Sequence, residues 1–138
     1  MVERSKDWID QAQRDIAQAK ASLRDGFYEW ACFAAQQAAE KAVKGLIQSL
    51  GGEPWGHSVT GLIDALPEDV KPHHLRDGAM ELDQAYIPSR YPNAHPLGFP
   101  GTAFTKKMSE RLIEHAEQIL AYCQEEVSKV LRKRDTRP

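Results

Sequence analysis

Apolar residues recur at helical spacing over three long stretches of this chain. Between Ser5 and Arg24, positions Trp8, Ile9, Ala12, Ile16, Ala19 and Leu23 form one stripe of a 3.6-residue helix. Ser5 is placed to cap it. Asp25-Gly26 is placed to stop it, because glycine tolerates the left-handed conformation that ends helices. A second helix is predicted from Tyr28 to Leu50, ended by Gly51-Gly52. Its first half is apolar or small nearly all round, from Trp30 through Cys32 and Phe33 to Ala39. That is the pattern of a central helix touched on several sides. A third long helix is predicted over 103–132, with Met108, Leu112, Ile113, Ala116, Ile119, Leu120, Cys123, Val127 and Val130 in period. Thr102 or Thr105 is its cap.

The middle of the chain reads differently. Seven of the eight prolines lie between Pro54 and Pro100. A short helix is predicted from Ser58, its cap, to Leu66, where Pro67 stops it. Another is predicted from Pro72 to about Tyr86, with Leu75, Ala79 and Leu82 inward. Pro88, Pro92, Pro96 and Pro100 then recur every four residues. No interior helix accepts that series, since each proline removes a donor and clashes with the preceding turn. A loop this long is uncommon in a small domain and often functional. The expected fold is all-α: an up-and-down bundle of about five helices with a Pro-rich loop before the last one.

Composition narrows the class. With 138 residues the chain is one domain, long enough for one core. The formal net charge of -2 excludes a uniformly basic nucleic-acid coat and an acidic disordered tail. The charge is uneven: residues 129–138 hold Lys129, Arg132, Lys133, Arg134 and Arg137 against Asp135, so a basic tail ends an acidic body. Cations there complement the helix dipole, and the surplus is available to RNA or an acidic partner. No apolar run reaches membrane-spanning length. The two cysteines lack a disulfide-framework or CxxC pattern, so a reducing, cytoplasmic setting is expected.

The second helix carries a resemblance. Gly26-Phe27-Tyr28-Glu29-Trp30-Ala31-Cys32-Phe33 through Gln36-Gln37-Ala38-Ala39-Glu40-Lys41-Ala42-Val43-Lys44-Gly45-Leu46 resembles the signature helix of HEPN (higher eukaryotes and prokaryotes nucleotide-binding) domains. Trp8 with Ala12 and Asp15, His57-Ser58 after a glycine-rich turn, and Arg90-Tyr91-Pro92 extend the match. The resemblance implies a helical bundle, commonly a homodimer, that binds nucleotide or substrate for a minimal nucleotidyltransferase partner. Other members it resembles are metal-independent ribonucleases, often toxins, with an Arg-x4–6-His motif and a site assembled across the dimer.

Several side chains can carry chemistry. Arg90 and His95 meet Arg-x4-His in form: a histidine can move a proton at a ribose hydroxyl while an arginine holds phosphate. Tyr91 follows the arginine, where ribonuclease members often carry a polar residue. Pro92 and Pro96 place the pair in a loop rather than on one helical face. A binding role is the favoured expectation. Arg90 with Tyr91 suits a nucleotide, guanidinium to phosphate and ring to base, unless Arg90 merely bonds loop carbonyls or pairs with Glu40. Gln37, Lys41 and Lys44 share a helix face, either toward phosphate or as a solvated stripe with a Glu40–Lys44 pair. His57 either faces ligand or packs where the loop enters the next helix. His73 and Asp77 lie one turn apart without the further ligands a metal site needs, so neither metal nor cofactor is expected.

Overall fold

The computed structural model describes residues 3–136. Its helices are α1 (Ser5–Arg24), α2 (Tyr28–Ser49), α3 (Val59–Asp64), α4 (Arg76–Gln84), α5 (Pro100–Ala103) and α6 (Lys106–Asp135). Among the described residues there is no strand. The all-α expectation holds, with the four-residue α5 added at Pro100.

The turn after α1 follows from one glycine. Gly26 has φ +86°, and its N–H bonds the Leu23 carbonyl while Phe27 N–H reaches back to Ser22. This pair of bonds satisfies carbonyls that the helix end leaves open. The chain therefore reverses within three residues, and α2 returns along α1. At the far end a Cβ on Gly45 would lie 3.1 Å from the Ser5 carbonyl and Trp8 Cβ, so glycine permits the close approach. Helix α4 then runs back and α6 follows α2's direction, giving an up-and-down bundle. The alternation shows in Glu81 meeting Arg111 and His115, and in Arg134 reaching Ser49.

Helix α2 is central: α1 and α6 pack along it, and α3, α4 and α5 touch it. Ala31, Cys32, Ala35, Ala38, Ala39, Ala42, Val43 and Leu46 on α2 are fully buried, against Ile63, Leu82 and Ile119 of its neighbours. Burying each large aliphatic side chain stabilises the fold by about 1.5–3 kcal/mol relative to exposing it. Cys123 on α6 is also fully buried.

Boundaries shift locally, with identifiable causes. Ser5 is the first helical residue of α1, not its cap. Its N–H and O–H both donate to the Glu3 carboxylate, at 2.6 and 2.7 Å. The helix expected from Pro72 begins as a 3-10 turn over His73–Leu75 and becomes α4 only at Arg76. The last helix starts at Lys106, because Phe104 and Thr105 are extended and the Thr105 hydroxyl accepts Met108 N–H. Ser58 caps α3 as expected, accepting Gly61 N–H.

Candidate ligand-binding site

Arg90 sits four residues after Tyr86, in the turn that leaves α4. Its Nε–H donates to the Tyr86 carbonyl at 3.0 Å. Its guanidinium carbon lies 4.4 Å from the ring centre of Phe33, 4.7 Å from Tyr86 and 5.1 Å from Tyr91. Three rings thus hold one cation by their negative faces. Neither terminal nitrogen has a hydrogen-bond partner among the described residues, so those N–H groups remain available to an anion. The carbonyl bond expected as one alternative for this arginine is present, Glu40 is not its partner, and the cage of rings around it was not part of the expectation.

Glu40 is buried on α2, only 4% exposed. Lys44 Nζ reaches its Oε2 at 3.2 Å, the i, i+4 pair expected from the sequence. His57 Nδ1 lies 3.3 Å from its Oε1. Facing a carboxylate, which only accepts, Nδ1 is the protonated nitrogen, and Nε2 is left for other partners. The imidazole stacks on Tyr86, with centroids 5.3 Å apart and planes at 16°. Gln36, fully buried, fixes the same residue through the backbone by donating Nε2–H to the His57 carbonyl at 2.8 Å. Gln37 donates to Gln36 Oε1 at 2.7 Å. Arg90 and His57 therefore share Tyr86, and α2 supplies the polar frame beneath them.

Lys41 points elsewhere. Its Nζ is 2.6 Å from Asp15 Oδ2, tying α2 to α1. With Gln37 it lines a groove of about 560 Å³ between these helices, alongside Asp15, Gln18, Ser22, Phe27, Trp30 and Phe33. Phe27 and Trp30 are exposed there, and Phe33 walls both the groove and the Arg90 cage. Lys44, besides its pair with Glu40, lies over the Trp8 ring. Both lysines named from the sequence as phosphate contacts are held by carboxylates.

His95 belongs to a different group. Its Nε2 is 2.6 Å from the Pro88 carbonyl, which fixes that nitrogen as the N–H donor. Its ring meets Phe104 edge-on. It lines a second groove of about 280 Å³ with Glu81 and Arg111. Glu81 bonds both Arg111 and His115 at 2.8 Å. Burial raises the Glu81 pKa, but the His115 and Arg111 hydrogen bonds outweigh it, and the net value falls below the usual 4.5. The ring partners of Arg90 (Phe33, Tyr86 and Tyr91) and of His95 (Phe104) are different among the described residues.

The basic end of α6 is partly occupied. Arg134 donates to the Ser49 carbonyl at 2.5 Å, and Lys129 and Arg132 pair with Glu126 and Glu125. Arg137 lies outside the described residues. His73 bonds Glu68. Among the described residues no three His, Cys, Asp or Glu are grouped to hold a metal, and no helix is long and apolar enough to cross a membrane.

Gln36, Phe33 and Tyr86 carry much of this geometry without having been singled out as site residues. A Tyr–Arg pair at i, i+4 was the available local signal for the cage. Nothing local marks Gln36 as the residue that holds His57.

The fold, with α2 at its centre, defines a small all-α helical domain. The chain belongs to the HEPN domain family, whose model matches residues 5–127. Solved structures agree. TT1696 from Thermus thermophilus is 46% identical with a TM-score of 0.88, the match covering 91% of this chain and 99% of that one. An archaeal HEPN homologue, ST0689, is 40% identical with a TM-score of 0.76 at the same coverages. An HEPN domain protein from Thermotoga maritima is 38% identical with a TM-score of 0.66, covering 88% of this chain and 97% of its own. No curated protein matches the chain.

Proposed function

We propose that this HEPN domain is a nucleotide-binding and interaction module. It acts as a homodimer and presents its ligand to a minimal nucleotidyltransferase partner chain. The observation that carries the reading is Arg90: anchored through Nε, caged by Phe33, Tyr86 and Tyr91, with its outer N–H groups unbonded among the described residues. A guanidinium so held grips phosphate without first losing rotamer freedom. Tyr91, half exposed beside it, offers a ring to a base. The groove with exposed Phe27 and Trp30 offers apolar surface to a second chain.

Calorimetry with ATP, GTP and a short RNA, with and without a candidate nucleotidyltransferase, tests the reading. Saturable binding that is lost in Arg90→Ala is the expected result. Absence of binding to every ligand in both settings overturns it. Cleavage of RNA in chelator, lost in both Arg90→Ala and His95→Ala, replaces it with the ribonuclease reading.

A further inference from the structure

His57 is built into this domain more firmly than a loop histidine needs to be. Its backbone carbonyl is held by buried Gln36 and its ring Nδ1 by buried Glu40, two residues one helical turn apart on α2. The next residue, Ser58, is fixed as well, because its hydroxyl donates to Asp83 at 2.9 Å. Yet the imidazole is not buried: its side chain is 60% exposed and lies flat on Tyr86. A surface ring held at Nδ1 and by its face, on a backbone that is itself anchored, with Nε2 unpaired among the described residues, is preorganised for a ligand.

The location specifies the ligand. The imidazole centre is 5.3 Å from the Tyr86 ring centre and the Arg90 guanidinium carbon 4.7 Å from it. The imidazole centre and the guanidinium carbon are therefore at most about 10 Å apart across that ring, a separation that a chain of two or three phosphates bridges. A single phosphate on Arg90 has no need of the second group. We infer that His57, positioned by Glu40 and Gln36, is the second anion contact of the site, and that the site takes a nucleoside di- or triphosphate in preference to a monophosphate. This rests on the nucleotide-binding reading above and assigns its phosphate contacts. His57, not His95, is then the histidine that faces ligand.

The charged and titratable groups around the imidazole are Glu40 and Lys44 from α2, Asp83 and Tyr86 from α4 and its end, and Arg90 beyond. A contact that needs the imidazolium weakens as pH rises through the histidine range.

The test is calorimetric titration of the full chain with AMP, ADP, ATP and inorganic tripolyphosphate at pH 6 and pH 8. Wild type, His57→Gln and Arg90→Ala are compared, with circular dichroism checking each fold. The expected result is ATP and tripolyphosphate binding that weakens at the higher pH. His57→Gln should lower ATP affinity about tenfold, remove most of that pH effect and leave AMP binding unchanged. Glu40→Gln, with its fold verified, should weaken ATP binding in the same direction. AMP binding as tightly as ATP, or a His57→Gln variant indistinguishable from wild type, overturns this inference while leaving the nucleotide-binding reading in place. Absence of any nucleotide binding by wild type overturns both.

Discussion

Asp83 on α4 closes the N-terminus of α3 by accepting the Val59 N–H on Oδ1 at 2.7 Å. Its other oxygen accepts Thr60 N–H and the Ser58 hydroxyl, each at 2.9 Å. One carboxylate thus satisfies open donors of a six-residue helix and complements its dipole. Asp83→Ala is expected to destabilise the domain by about 1–2 kcal/mol, the usual range for losing a helix cap. Urea denaturation measures it. Because Ser58 adjoins His57, the same variant should also weaken any ligand contact made by the imidazole. Unchanged stability would show that Ser58 alone caps α3.

Lys41 and Asp15 are partly buried, with side chains 24% and 16% exposed, and their 2.6 Å contact joins α1 to α2. A double-mutant cycle with Lys41→Ala and Asp15→Ala should give a coupling of about 1 kcal/mol, the upper end for partly exposed pairs. Nucleotide affinity should change little in Lys41→Ala, since its ammonium is turned toward α1. A large affinity loss without loss of stability would instead make Lys41 a ligand contact.

The sequence carried the long helices well because their signals are local. The α1 range was read to within a residue, Ser5 proving helical rather than its cap, and α2 ends one residue before the predicted Leu50. The nearness of Phe33 to Arg90 was not legible, because it joins the middle of α2 to a turn after α4 and depends on how the helices pack. The same holds for Glu40. The i, i+4 spacing shows Lys44 as its partner, but only packing reveals that its carboxylate is buried and faces His57. The short middle helices were legible in kind and shifted in extent, since tight 3-10 turns such as His73–Leu75 leave no periodic trace.

Arg90 is held as a planar cation among rings, so lysine is not a conservative replacement for it. Arg90→Lys keeps the charge but loses both the stacking surface and the Nε bond to Tyr86. Its nucleotide affinity is expected to fall about tenfold or more, close to the loss in Arg90→Ala, with a stability change near 1 kcal/mol or less. Calorimetry and thermal melts separate the two effects. Full affinity in the lysine variant would reduce the role of Arg90 to charge alone.

Glu81 links α4 to α6 through Arg111 and His115. Its pKa is lowered in the folded chain, burial opposing and the two hydrogen bonds prevailing. A carboxyl whose folded pKa is depressed contributes stability that is present above its unfolded value and is lost as pH falls through the folded value. The stability gap between wild type and Glu81→Gln should therefore be open at neutral pH, where both histidine and arginine can donate to the carboxylate. It should narrow progressively as pH falls below the ordinary glutamate value of 4.5. Urea titrations at several pH values would show it, and a constant gap would mean that Glu81 acts through packing.

Cys32 and Cys123 are both fully buried in the core. Burial pushes the Cys32 thiol up to about 12, a nearby Arg111 opposing this and Glu29 reinforcing it, and burial raises Cys123 as well. Nucleophilic attack needs the thiolate, so neither side chain presents a reactive form near neutral pH. Alkylation by iodoacetamide should label neither cysteine in the native domain over hours, and both promptly in concentrated urea. Labelling should follow the unfolding transition, which makes it an independent readout of the variants above. Rapid labelling of the native chain at either position would mean that α2 or α6 opens locally on that timescale. Cys32 is the more informative site, since it lies one residue from the Phe33 ring that helps hold Arg90.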